Sequence, residues 1–168
     1  MARKVAPQVR VPAQLTHVSS DGTPRMVDVG AKAVTEREAV ARASIDMSAE
    51  ARRLIRSGAV RKGNPLQAAQ LAGIMAAKRT SELIPLCHPL LLTHVSVDLS
   101  PTRTGYRIEA RVRTSGQTGV EMEALTAATV AALTVYDMVK AADKGMVIGD
   151  VHLVSKRGGR GGTYRRSR

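Results

Sequence analysis

The sequence predicts an α+β fold, in which helices cover one face of a four-stranded antiparallel sheet. Two segments with apolar residues at alternate positions are separated by a short turn, which is typical of an antiparallel hairpin. Two longer segments have apolar residues at helical spacing and lie apart from the hairpin. The length of 168 residues fits one domain with one core.

The first third of the chain is predicted to contain a short strand, a longer strand and a short helix. Residues 1–14 have basic residues but no acidic ones, and they are predicted to be a flexible arm. A short strand is predicted at residues 25–29, after a turn signal. Alternate residues are apolar over 37–47, which is the period of a strand. Ser48 is then expected to cap a helix that Gly58 ends.

The middle of the chain is predicted to continue with a helix, a hairpin and a second, longer helix. Pro65 is a residue favoured in the first turn of a helix, and this helix is expected to run to about Leu83. Residues 95–99 and 106–112 are the predicted strands of the hairpin. The long helix is predicted over 120–142, where apolar and small residues predominate.

A last strand at residues 147–154 completes the predicted order β-β-α-α-β-β-α-β. Antiparallel hairpins with helices grouped apart favour a ferredoxin-like arrangement. The Gly- and Arg-rich residues 158–168 are predicted to be a flexible tail. Residues 15–157 are therefore expected to be a single α+β domain between two flexible ends.

The net charge of +12 raises the question of nucleic acid binding, but its distribution argues against it. Residues 1–14 and 156–168 contain nine of the 26 basic residues and no acidic residue. Aromatic residues make up 2% of the sequence, so the stacking platforms that hold single strands are scarce. We therefore expect no nucleic acid partner. The main alternative hypothesis is an RNA-binding module that uses the basic ends of the chain.

Cysteine content and hydropathy indicate the compartment. Cys87 is the single cysteine, so an internal disulfide cannot form and a reducing compartment is expected. No apolar run approaches the roughly 20 residues of a membrane helix. The basic N-terminus is not followed by the apolar segment of a secretory signal. These observations predict a cytoplasmic protein without membrane contact.

The first candidate site is the segment Leu86-Cys87-His88-Pro89. His88 lies between two prolines, which hold the segment extended, and imidazole can transfer protons near neutral pH. The alternatives are a buried histidine satisfied by the backbone and a Cys87 that serves as a small apolar residue. Zinc is not predicted, because there is no second cysteine and His94 lies six residues away.

The second candidate site is the long helix. Glu121 and Glu123 lie at its N-terminus, where the helix dipole favours carboxylates, and Asp137 and Lys140 lie on one face near its other end. Helix capping and a surface ion pair are the alternatives. Residues 124–135 contain no charged residue, so the helix is expected to be buried through its middle. Its charged groups would then be partly desolvated, with shifted pKa values.

The length of this helix limits how its two ends can cooperate. Glu123 and Asp137 are 14 residues apart, which is about 21 Å along a helix. One small pocket within one subunit can hardly use both ends. Either the ends serve different sites, or a second copy of the chain lies antiparallel to the first. We favour the second arrangement, because an uncharged Ala- and Thr-rich middle suits a close symmetric contact.

Several basic residues are candidates for binding phosphate. Lys62 lies just before the helix that begins at Pro65, and backbone N–H groups attract anions at such a position. Arg37, Lys78, Arg79 and Lys156 could extend an anion site. Residues 158–162 could bind phosphate through their backbone N–H groups. The alternative for each is a solvated side chain or a flexible end. The nucleotide-binding motif GxxxxGK[ST] is absent.

Together these runs resemble the MoaC family. The resemblance extends over roughly residues 15–162, and two of its runs are long and unusual, so chance is a poor explanation. The matching segments are LTHV (15–18), MVDV (26–29), KG (62–63), AGIMAAKRTSELIPLCHPLLLT (72–93), TGVEMEALTAATVAALTVYDM (118–138) and SKRGG (155–159).

The resemblance implies a ferredoxin-like fold assembled as a homohexamer, a trimer of dimers, with the active site at the dimer interface. It implies conversion of 3′,8-cyclo-7,8-dihydroguanosine triphosphate to cyclic pyranopterin monophosphate with release of pyrophosphate, in molybdenum cofactor biosynthesis. It implies no tightly bound cofactor, with Mg²⁺ accompanying the triphosphate. The family's functional positions are matched here by Arg37, Lys62, Leu86, Cys87, His88, Glu121, Met122, Glu123, Asp137, Lys140 and Lys156.

The resemblance also suggests how these residues divide the chemistry. Arg37, Lys62 and Lys156 are expected to neutralise the triphosphate. Asp137 and Lys140 are the expected acid/base pair, with the pKa of Lys140 lowered by burial. The histidine and the two glutamates would orient the purine-derived ring.

The chain departs from the family's pattern in three places. The family's GGKSG appears here as Gly158-Gly159-Arg160-Gly161-Gly162, which keeps the basic charge but loses the hydroxyl donor. Asn64 stands where the family usually has an aspartate, and Val139 stands where it often has a cysteine. A thiol at position 139 is therefore not essential in this chain.

Overall fold

The structure is a computed structural model that describes residues 22–167 of the chain. Residues 1–14, predicted to be a flexible arm, lie outside the described residues. The elements in chain order are β1 (Thr35–Asp46), α1 (Ala49–Ser57), α2 (Pro65–Lys78), α3 (Thr80–Leu83), β2 (Leu92–Pro101), β3 (Gly105–Gly116), α4 (Glu121–Val139), β4 (Val147–Arg157) and β5 (Tyr164–Arg165).

The sheet is antiparallel throughout, and its strand order is β2-β3-β1-β4-β5. The first four strands of that order, with helices in the two crossovers, have the ferredoxin-like topology. The predicted α+β class and topology are therefore confirmed. The predicted number of four strands was wrong, because the two-residue β5 pairs with Ser155 and Lys156 at the edge of β4. This strand lies inside the segment that was predicted to be a flexible tail.

The core lies between the sheet and the helix pair α2 and α4. α4 packs against β1, β3 and α2, and its buried residues are mostly alanine, threonine and valine. Gly73 of α2 allows the close approach, because a Cβ atom there would lie 2.9 Å from the carbonyl oxygen of Ala127. Small residues at this contact take the place of the missing Phe and Trp side chains.

By length and composition alone, α4 could cross a membrane, contrary to what the sequence led us to expect. Half of this helix is buried inside the fold, and it carries Glu121, Glu123 and Asp137. We therefore interpret α4 as the core helix of the domain.

Local signals fix the ends of the first two helices. The Ser48 side chain accepts a hydrogen bond from the Ala51 N–H, and Gly58 ends α1 in the left-handed conformation with a φ of 70°. The Asn64 side chain accepts from the N–H groups of Leu66 and Gln67 at the start of α2. Asparagine and aspartate cap helices about equally well, which accounts for Asn64 at a position where the family usually has aspartate.

Two predicted elements differ from the structure. Residues 25–29 form no strand, and Val27, Asp28 and Val29 instead line a cleft. The helix predicted over 65–83 is interrupted at Arg79, after which α3 forms a single separate turn. The Thr80 hydroxyl contributes to this break, because it donates back to the carbonyl oxygens of Ala76 and Ala77.

Candidate active site

A cleft of about 890 Å³ opens at the end of the sheet where β1 begins and β3 ends. Its lining comes from five separate segments, within residues 27–33, 35–37, 86–90, 117–123 and 159–161. Its size is that of a site for a nucleotide-sized molecule.

Most of the predicted site residues meet in this cleft. Seven of them line it, and they include both candidate motifs: Arg37, Leu86, Cys87, His88, Glu121, Met122 and Glu123. Lys156 lines a small adjoining pocket, and its Nζ atom lies 3.1 Å from Oε1 of Glu121. The structure therefore brings the His88 segment and the start of α4 together within one chain.

Glu123 is the most buried charged residue of the cleft, with 4% of its surface exposed. Burial raises its pKa to about 7, and the neighbouring Glu121 carboxylate adds to the rise. The carboxyl group can therefore exist in either protonation state near neutral pH, as general acid/base chemistry requires. Burial and the charge of Glu123 also raise the pKa of the Cys87 thiol, so Cys87 is a poor nucleophile here.

His88 lies in an irregular segment after α3, with its side chain partly exposed in the cleft. The turn before it is closed by a hydrogen bond from the Cys87 N–H to the carbonyl oxygen of Ile84. Among residues 22–167, no backbone or side-chain group forms a hydrogen bond with the His88 ring. The alternative of a histidine satisfied by the backbone is therefore not what the structure shows.

Arg37 holds two loops of the cleft in place. Its Nε atom donates to the carbonyl oxygen of Gly116 over 2.8 Å, and its Nη2 atom donates to that of Gln117 over 3.1 Å. Gly159 packs against the same guanidinium so closely that a Cβ atom would overlap it. Arg37 thus ties the connection between β3 and α4 to the glycine-rich loop at residues 158–162.

The remaining predicted residues form a second cluster at the far end of α4. Nζ of Lys62 lies 2.9 Å from one carboxylate oxygen of Asp137, and Nζ of Lys140 lies 2.8 Å from the other. Hydrogen bonds from Lys140 and then Lys62 lower the pKa of Asp137 to about 2. The same hydrogen bond with Asp137 raises the pKa of Lys140.

The prediction that the charged groups of this second cluster are partly desolvated is wrong for the single chain. The side chains of Asp137 and Lys140 are 56% and 51% exposed, so they are not desolvated and the pKa of Lys140 is not lowered. The middle of α4 is largely buried, but Asp137 and Lys140 lie on the outward face at its end. Uncharged residues in the middle of a helix therefore did not predict burial of the charges at its end.

Three cleft residues were not among the predicted site residues: Lys32, Gln117 and Arg160. The Gln117 side chain donates to the carbonyl oxygens of Gly30 and Lys32, which fixes the segment before β1 over the cleft. A single lysine or glutamine in a loop gives no sequence signal. For Lys32 and Arg160, the sequence offered only an indirect indication. The nearby segments MVDV and SKRGG resemble family segments.

The described residues contain no group of three or more His, Cys, Asp or Glu side chains arranged to hold a metal ion.

Comparison with known proteins agrees with this geometry. The chain matches the MoaC family over residues 26–159. It is 58% identical over 154 residues to the cyclic pyranopterin monophosphate synthase of Pelotomaculum thermopropionicum, covering 90% of this chain and 91% of that protein. It is 57% identical over 151 residues to the protein of that name from Desulforapulum autotrophicum, covering 89% and 93%. With that of Chloroflexus aurantiacus it shares 57% identity over 157 residues, covering 92% and 96%. The chain therefore belongs to the MoaC family.

Proposed function

We propose that this chain is a cyclic pyranopterin monophosphate synthase of molybdenum cofactor biosynthesis. It converts 3′,8-cyclo-7,8-dihydroguanosine triphosphate to cyclic pyranopterin monophosphate and releases pyrophosphate. Relatives of that name share 57% to 58% identity with it over nearly their whole length. The observation that carries the proposal is the meeting of the His88 segment and the Glu121–Glu123 turn in one nucleotide-sized cleft.

The two glutamates of the cleft suit the purine-derived ring. A guanine-like ring presents several N–H groups, and the carboxylate oxygens of Glu121 and Glu123 are strong acceptors for them. Glu123, with a pKa of about 7, can also give or take a proton as the ring opens and recloses. His88 and Met122 line the same cleft and would fix the orientation of the ring.

The catalytic pair Asp137 and Lys140 would come from a second copy of the chain. The side of α4 that faces away from the sheet carries a stripe of partly or fully exposed residues at helical spacing: Met122, Leu125, Thr129, Leu133, Asp137 and Lys140. Leu71 and Met75 of the adjacent α2 extend this partly apolar surface, and both are exposed.

An antiparallel copy of α4 on this surface would place its far end against the cleft. The stripe begins at Met122 in the cleft and ends beside the Lys62–Asp137–Lys140 cluster, so one two-fold contact would complete two sites. Burial by the partner would also act to lower the pKa of Lys140, as a proton-transfer role requires. We propose that three such dimers form a homohexamer.

In the proposed reaction, a ribose-derived hydroxyl attacks the α-phosphorus and pyrophosphate leaves. Asp137 and Lys140 accept and return protons, while Lys62, Arg37 and Lys156 contribute positive charge near the phosphates. Mg²⁺ would enter bound to the triphosphate oxygens. We place the reaction in the cytoplasm, without a nucleic acid or membrane partner.

The direct test is incubation of the purified protein with the cyclised guanosine triphosphate, followed by measurement of pyrophosphate and pterin product. Lys140→Ala should lower turnover by at least about a thousandfold while leaving the oligomer intact. Failure of the wild-type protein to form the pterin product would overturn the proposal.

Mixing two inactive variants tests the shared site separately. Glu123→Gln removes a residue from the cleft, and Lys140→Ala removes one from the far cluster. If the site is shared, subunit exchange gives hybrid dimers with one intact site, and activity returns to about a quarter of the wild-type level at random mixing. Absence of recovery after confirmed exchange would mean that each site lies within one chain.

A further inference from the structure

Among the described residues, the cleft contains two cationic side chains that are not paired with another protein group. Arg37 donates to two backbone carbonyl groups, and Lys156 is paired with Glu121. Lys32 and Arg160 also line the cleft. Within the described part of the chain, the side chains of these two residues form no ion pair or hydrogen bond.

Lys32 is held at the cleft by a tight turn. Its N–H group donates to the carbonyl oxygen of Val29 over 2.9 Å, and the Gly30 N–H donates to Oδ1 of Asp28 over 2.8 Å. The Gln117 side chain binds the turn from the other side, with its Nε2 atom 3.0 Å from the Lys32 carbonyl oxygen. The backbone of Lys32 is therefore fixed, whereas its ammonium group remains available to a ligand.

Arg160 is presented to the cleft by a second tight turn. The Gly162 N–H donates to the carbonyl oxygen of Gly159 over 3.1 Å, which places Arg160 at the corner of the turn. The turn follows two consecutive glycines in the left-handed region, with φ values of 95° for Gly158 and 69° for Gly159. A side chain at Gly158 would collide with the carbonyl oxygen of Glu36, so this path of the loop requires glycine.

We infer that Lys32 and Arg160, which line the same cleft, bind the triphosphate of the substrate. The inference rests on the proposed function for the identity of the ligand, but the binding chemistry is that of any polyphosphate. A triphosphate carries several negative charges, and unpaired cations on two turns can contact it without first breaking an ion pair. Arg37 adds positive charge and also positions the loop that carries Arg160, because Gly159 packs against its guanidinium.

The test is binding of inorganic tripolyphosphate to the full-length oligomer, measured by titration calorimetry. Lys32→Ala and Arg160→Ala should each weaken binding about tenfold, and the double variant should weaken it about a hundredfold. Arg107→Ala is the matched control, because this exposed arginine lies near the start of β3, about 30 Å along the strand from the cleft. It should change the affinity by less than about twofold.

The possible outcomes separate this inference from the proposed function. Wild-type affinity in the double variant, or an equal loss in Arg107→Ala, would overturn the phosphate site even if the wild-type protein forms the pterin product. Loss of tripolyphosphate binding in the double variant supports the site, whether or not turnover is observed. The far-UV circular dichroism spectrum and the oligomer size of each variant must match those of the wild type. Lys32→Arg, which keeps the charge, should retain most of the wild-type affinity.

Discussion

Glu123→Gln should make the protein more stable at alkaline pH, because the native carboxylate is buried in the cleft wall. Burial raises the pKa of Glu123 from 4.5 to about 7. One pKa unit corresponds to about 1.4 kcal/mol, so an ionised Glu123 costs the folded state about 3 kcal/mol above neutral pH. Glutamine has nearly the shape of the protonated acid and cannot ionise, so the variant avoids this cost.

The sign of the pH dependence follows from which state binds the proton more tightly. Below a pH of about 4.5 the carboxyl is protonated in both the folded and the unfolded chain, so ionisation contributes little to the difference in unfolding free energy between the variant and the wild type. As the pH rises towards 7 the unfolded chain releases its proton first, and the wild type loses stability relative to the variant. Above about pH 7 the full difference is present.

Urea unfolding at matched protein concentration can measure this difference. We expect Glu123→Gln to exceed the wild type by about 3 kcal/mol near pH 9 and by less than about 1 kcal/mol near pH 5. Glu50→Gln, the same change on an exposed residue of α1, controls for the substitution itself. Equal differences at the two pH values would refute the reasoning, because an effect of packing alone does not titrate.

Three further substitutions test the fold and the cleft. Glu38 is 12% exposed, and arginine side chains outweigh the effect of burial and lower its pKa, so Glu38→Gln should cost about 1–3 kcal/mol in urea unfolding near neutral pH. That cost should disappear as the pH falls below the ordinary glutamate pKa. Gly73→Ala should lower the unfolding free energy by about 1–3 kcal/mol, because its Cβ atom would press on the Ala127 carbonyl. Gly159→Ala should reduce kcat/KM at least about tenfold, because its Cβ atom would displace the partly buried Arg37 guanidinium, and it should also lower the melting temperature by a few degrees, because residue 159 has a φ of 69°.

Much of the fold could be predicted because its signals are local. The Ser48 cap, the Gly58 stop and the Asn64-Pro65 start each act within one helical turn, and the structure contains all three. Alternation along β1 and the hairpin also determines which side of each strand is buried. The break at Arg79 was missed, since it depends on how the Thr80 hydroxyl bonds to the preceding turn.

The cleft was only partly predictable because it is assembled over long distances in sequence. Its two motif runs were recognised from their residues, but the loops beside them are positioned by Arg37 and Gln117. These side chains bind partners 79 and 87 residues away in the sequence, and no local sequence pattern predicts such contacts. The cations Lys32 and Arg160 became visible as a pair only when both turns were seen on one cleft.

The continuous helix α4 fixes both the distance and the rotational phase between its two functional ends. Loss of one residue from its uncharged middle would shorten it by about 1.5 Å and turn everything beyond that point by about 100°. Asp137 and Lys140 would then face a different direction relative to Glu121 and Glu123, although every side chain of the site would still be present. Family members should therefore vary freely in the chemistry of exposed loops, whereas the number of residues between the glutamates and the lysine of α4 should stay constant.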